Sequence, residues 1–152
     1  MEVVLALGVI GFAIVAILGI LPVGLNTGRS AQDETRAAQI AQTILEGMGS
    51  QASAQFTGVK VPVSSGNQTT IDLSQSTSTP AAPALQLYAD NDGQISQAAP
   101  GAAFSIKLIT NNAPAGFDSG YANQVTVNVA WPAAAATASQ TVRSFSRVMT
   151  KY

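Results

Sequence analysis

The chain has 152 residues, 47% hydrophobic by type and 10% charged, with a net charge of -1 and neither Cys nor His. The missing Cys and His exclude disulfide frameworks, thiol nucleophiles, Ser-His-Asp triads and metals held by imidazole or thiolate. Seven scattered Lys and Arg leave no basic stripe to follow a phosphate backbone, so the expectation is one domain at most, non-enzymatic, with no cofactor, metal or nucleic-acid partner.

Val3 to Leu25 is a run of 23 residues built only from Val, Leu, Ile, Phe, Ala, Gly and one Pro, and no charge lies between Glu2 and Arg29. As a helix it would reach about 35 Å, enough to cross a hydrocarbon layer of about 30 Å. Fifteen of its residues are Val, Leu, Ile or Phe, each favouring insertion by roughly 0.3–0.6 kcal/mol, which together outweigh Pro22. A buried core helix competes poorly, because about 125 other residues would have to wrap a segment apolar on every side. A secretory signal fits less well again, since its apolar stretch is about 7–15 residues between a basic flank and a small-x-small cleavage site. No Lys or Arg precedes Val3, so the orientation signal is expected in a basic leader removed upstream.

Glu2 opens this segment. A carboxylate at the edge of an apolar helix is costly to desolvate unless a cation meets it, and an N-terminal amine is the nearest candidate. The plainer alternative leaves Glu2 solvated among headgroups. The string Met1-Glu2-Val3-Val4-Leu5-Ala6-Leu7-Gly8-Val9-Ile10 resembles the N-terminus of type IV pilins and type II secretion pseudopilins, the similarity covering roughly residues 1–50 and lying nearest the minor subunits. The resemblance implies an α+β, pilin-like fold, in which a long N-terminal helix packs by its second half on a small antiparallel sheet. It also implies a leader peptidase that cuts after a Gly, a methylated new N-terminus, and a Glu at the fifth mature position. Here the acid stands second, so the favoured expectation is that three mature residues precede this chain; otherwise Met1 is the start and the amine geometry differs.

Under that resemblance Glu2 neutralises the amine of a neighbouring subunit during assembly, and Val3, Leu7, Ile10, Ile14 and Leu18 pack in a filament core. The implied partners are further copies of the chain in a helical filament, the inner membrane before assembly, and the prepilin peptidase with its assembly machinery. The implied locations are the inner membrane and an extracellular filament. A single-pass anchored, β-rich binding domain that does not polymerise is the alternative.

Gly19, Pro22 and Gly24 weaken the helix, and a kink or melted turn is expected around residues 19–26; many filament pilins carry such a Pro. Gly8, Gly11, Ala13, Ala16 and Gly19 are small enough for close helix approach. Asn26 to Ser30 reads as a break, with Ser30 and Asp33 as a helix start. Ala37, Ile40, Ala41, Ile44, Leu45 and Met48 then recur at helical spacing, while Gln32, Arg36, Gln39, Gln42, Thr43 and Glu46 cover the other face. This divides the chain into a membrane or filament-core helix over residues 1–28, an amphipathic helix over 29–54 and a β-rich head over 55–152.

Residues 50–84 turn rich in Ser, Thr, Gln, Gly and Pro, with one short strand candidate at Val59, Val61 and Val63 and a Ser/Thr-rich loop over 64–84. Ser76, Thr77, Ser78 and Thr79 could carry O-glycans, though a plain loop is favoured, and Asn67-Gln68-Thr69 is formally a sequon. Leu85 to Tyr88, the turn Asp90-Asn91-Asp92-Gly93 and Gln94-Ile95 read as a tight hairpin. Calcium at that turn is disfavoured, because an EF-hand needs Glu where Gly101 stands. Phe104 to Leu108 and Val125 to Trp131 alternate as half-buried antiparallel strands. A turn over Ala133 to Ser139 leads to a last strand, Thr141 to Met149, where Phe145 and Met149 share a face with Arg143 and Arg147 and a bulge or partly exposed edge is expected. That terminal hairpin is similar to the one in minor pilins. Asp72 and Asp118 read as turn or surface acids.

Overall fold

A computed structural model of the chain describes residues 2–52, 56–64, 69–74, 79–112, 115–118 and 121–151, without the side chains of Glu2, Leu5, Leu21 and Ala52. Among the described residues the elements are one α-helix, α1 (Glu2–Ala52), a single 3-10 turn over Thr137–Ser139, and seven strands: β1 (Val59–Val61), β2 (Thr69–Ile71), β3 (Leu85–Ala89), β4 (Ile95–Ser96), β5 (Phe104–Asn112), β6 (Ala122–Trp131) and β7 (Thr141–Thr150). The class is α+β, a long N-terminal helix with antiparallel sheets. Two compact units divide the chain, Met1–Thr35 and Arg36–Tyr152.

The expected break at Asn26–Ser30 and the expected melted turn at 19–26 do not form, because α1 runs through both with Pro22 inside it. Pro22 removes one donor, and Gly19, Gly24 and Gly28 each cost about 1 kcal/mol relative to Ala. Extending a helix already formed on both sides adds one hydrogen bond per residue fixed, whereas a second start must repeat the costly nucleation. Thr27, expected in the break, instead donates its hydroxyl to the Val23 carbonyl at 2.9 Å, a contact made along a continuous helix.

In the second unit, α1 presents the expected stripe. Ala37, Ile40, Ala41, Ile44, Leu45 and Met48 are buried, while Gln39, Gln42, Thr43 and Glu46 are exposed. The stripe meets one face of a five-stranded antiparallel sheet of order β4-β3-β5-β6-β7. Pairing Ile106 with Val129, Leu108 with Val127 and Leu87 with Ile106 puts the apolar alternates of three strands on a common face, and these residues share one core cluster with the helix stripe. Phe104 and Trp131 meet there as tilted rings 6.1 Å apart.

A separate two-stranded sheet, β1 with β2, adds Val59, Val61 and Ile71 to the same core. Strand β1 stops at Val61, short of the expected Val63. It is tied to the helix by Gln51, whose side-chain amide donates to the Lys60 carbonyl at 3.1 Å and accepts from the Lys60 N–H at 3.0 Å. Gly47 is required nearby, since a Cβ on it would stand 2.9 Å from Pro62 Cγ. Asn123, buried in β6, donates to the Leu73 carbonyl at 2.5 Å and links the segment after β2 to the main sheet.

The expected hairpin is present as β3 and β4, its turn Asp90-Asn91-Asp92-Gly93 lying in a five-residue loop, Asp90 to Gln94. One Asp90 carboxylate oxygen accepts from the N–H groups of Asp92 and Gln94, both at 2.9 Å. Gly93 takes a φ of +80° that a side chain would oppose. Strand β7 pairs with β6 in one register over all ten residues, Thr141 with Trp131 through Thr150 with Ala122. The partly exposed edge is therefore found without the bulge.

Candidate assembly surface

Every described side chain from Val3 to Ser30 is exposed. The five expected packing residues follow suit, with Val3 72%, Leu7 64%, Ile10 55%, Ile14 52% and Leu18 62% exposed, and Phe12, away from that stripe, reaches 80%. A large aliphatic or aromatic side chain loses roughly 1.5–3 kcal/mol when left in water instead of being buried. More than a dozen such residues in sequence, each exposed among the described residues, therefore call for an apolar surrounding. The helix is long and apolar enough to cross a membrane.

The glycines of this segment point the same way. A Cβ added at Gly8, Gly11, Gly19, Gly24 or Gly28 would meet nothing within 4 Å, so contacts among the described residues do not require them. Glycine in a helix interior is unfavourable, and close approach by another helix is the ordinary physical use of such positions. Gly19, Pro22 and Gly24, singled out as a kink, sit in uninterrupted helix. Glu2 begins α1, and its side chain lies outside the described residues.

Ser76, Thr77 and Ser78 of the proposed glycan loop also lie outside the described residues, as do Asn67 and Gln68 of the sequon. Thr79 is exposed, and its hydroxyl accepts from the Ala82 N–H at 3.1 Å, closing a turn. Thr69 lies in β2 and accepts from the Gln97 side chain. Asp72 accepts from the Ser74 N–H and hydroxyl at 2.9 and 2.6 Å. Among the described residues no three acids gather in a group that could hold a metal ion. The Asp90 carboxylate organises its own turn.

The second unit adds a surface that periodicity did not single out. Between α1 and β7 lies a shallow cleft of about 410 Å³ lined by Ala38, Gln42, Leu45, Glu46, Phe145, Ser146 and Arg147. The Arg147 guanidinium lies close beside Gly49, its Nη1 3.2 Å from where a Cβ would stand. The only sequence signal for this cleft was the Arg/Phe mixture on one face of the last strand.

No known protein family, curated protein or solved structure matches the chain.

Proposed function

We propose that this chain is a structural, non-catalytic subunit of a type IV pilus-like or pseudopilus filament. The subunit is stored in the inner membrane through residues 3–25 and assembled into an extracellular helical fibre by a prepilin peptidase and its machinery. The observation that carries the reading is the contrast within α1: an apolar segment exposed all round is continuous with a helix whose next turns form the core of a sheet-bearing head.

The mechanism is physical. On leaving the lipid, the apolar segment exchanges acyl chains for neighbouring helices, so its burial is retained while van der Waals packing at Gly8, Gly11 and Gly19 sets the approach. Glu2 pairs with the amine of a neighbouring copy and selects the register, because an unpaired carboxylate in that surrounding is costly. A bend at Pro22 belongs to the same reading. The contact is heterologous and open, so one subunit type suffices for a fibre of any length.

The test is intact mass and N-terminal sequencing of the native protein, with negative-stain microscopy of material sheared from cells. A methylated N-terminus a few residues before Glu2, found in fibres that Glu2→Ala abolishes, is the expected result. An unprocessed chain confined to membranes overturns the reading and leaves an anchored β-rich binding domain.

A further inference from the structure

The two edges of the main sheet are finished differently. At one edge β4 has two residues, and Ser64 closes it, donating its N–H to the Ile95 carbonyl at 2.8 Å and accepting from the Ile95 N–H at 3.1 Å. At the other edge β7 has ten residues and, among the described residues, only β6 as a neighbour strand. A long, regular edge strand is a template on which another extended segment can add by main-chain hydrogen bonds.

The charge of that edge narrows what can add. Arg143, Arg147 and Lys151 recur at every fourth residue, three of the seven cations in the chain, and no acid follows Asp118. The spacing of four residues corresponds to about 13 Å along a strand and returns each side chain to one face. Register puts Arg143 opposite Val129, Phe145 opposite Val127 and Arg147 opposite Val125, so both arginines flank Phe145 on the side of the cleft. The other face carries Val142, Ser144, Ser146 and Val148, all uncharged. A second copy of this edge would set three cations against three, a repulsive pairing.

We propose that the open edge of β7 takes an extended acidic peptide segment of a partner protein as an added strand. Carboxylates at every fourth position of that segment meet Arg143, Arg147 and Lys151, and an apolar residue midway between the first two enters the cleft beside Phe145. Main-chain pairing supplies the affinity, and the charge spacing supplies the selectivity. This interaction belongs to the head and is independent of whether copies polymerise.

The test uses the full chain in neutral detergent micelles at low salt. The probe is a fluorescent peptide of about eleven residues, long enough to span β7, made of alternating Val and Thr with Glu at its second, sixth and tenth positions and Leu at its fourth and eighth, so that either strand direction sets a Leu opposite Phe145. Binding is read by anisotropy, and hydrogen exchange locates the protected amides. The expected result is saturable binding with slowed exchange confined to residues 141–150. Affinity should fall about tenfold or more, a change of about 1.4 kcal/mol, in each of three comparisons: a peptide with Lys in place of Glu, a peptide N-methylated at alternate residues, and the Arg143→Glu/Lys151→Glu protein. That double variant spares Arg147, which packs beside Gly49, and circular dichroism checks that it folds. Absence of binding, equal binding of the N-methylated peptide, or unchanged exchange in β7 overturns strand addition; equal binding of the Lys peptide overturns the charge match.

Discussion

The two halves of α1 are built from similar residues and meet opposite fates. From Val3 to Leu25 apolar side chains occupy every side of the helix and all those described are exposed, whereas from Ala37 to Met48 they occupy one stripe and are buried. Burial follows pattern more than content. A stripe can be covered by one sheet while its polar back stays wet, but a helix apolar all round needs a surrounding on every side, which means lipid or several other helices. The same element therefore couples a stripe that the head covers to a segment whose described side chains are all exposed.

The comparison is broken most sharply by placing one charge in each half. Ile44→Asp buries an unpaired carboxylate at a fully covered position and should cost about 4 kcal/mol or more, enough to unfold a marginal head. Ile17→Asp should leave head unfolding unchanged and cost about 3 kcal/mol of membrane insertion. Thermal unfolding in detergent, read beside membrane fractionation, checks both. Equal loss of head stability in the two variants would show that the halves are not distinct.

A glycine pair sharpens the contrast at smaller scale. Gly47→Val drives a side chain into Pro62 and should destabilise the head by about 1–3 kcal/mol, as overpacking does. Gly19→Ala meets open space within the chain, so it should stiffen the isolated helix by about 1 kcal/mol while weakening any association that needs close helix approach. Denaturant midpoints and cross-linking yields in detergent separate the two effects. The smallest effect is expected at the β3–β4 turn, where Asp90→Ala removes two acceptor contacts and should lower head stability by about 1 kcal/mol. Faster amide exchange at Asp92 and Gln94 is its local signature.

Much of the architecture could be read from the chain. The stripe Ala37 to Met48, the alternation of Phe104 to Leu108 and Val125 to Trp131, and the hairpin at Asp90 to Gly93 are all local patterns, and each lies in the element expected. Other features escaped for identifiable reasons. Strand β5 continues past Leu108 to Asn112 because Ile109 and Thr110 are both buried, on opposite faces, so alternation stops signalling there. Strand β2 carries only one buried apolar residue, Ile71, and gives no period at all. Asn26, Thr27, Gly28 and Ser30 are weak helix formers, and the continuity of the helix on both sides overrides them. For the candidate assembly surface, the apolar run was plain in the sequence, while the side chain of Glu2 lies outside the described residues.

By itself the sequence determined which residues share a face, because apolar side chains recurring at the helical or strand period report that geometry over a few neighbours. It therefore specified the helix that is apolar all round, the amphipathic turns that follow it and the inward alternates of the sheet. Only the tertiary structure decided that β3 lies between β4 and β5, that Gln51 clamps the Lys60 backbone, that Gly47 faces Pro62, and that Ser64 closes one edge while β7 forms the other, with no further strand beside it among the described residues. Those outcomes depend on which distant segments meet, and the free energy of such pairings arises from contacts across the whole core, which no local window of the chain contains.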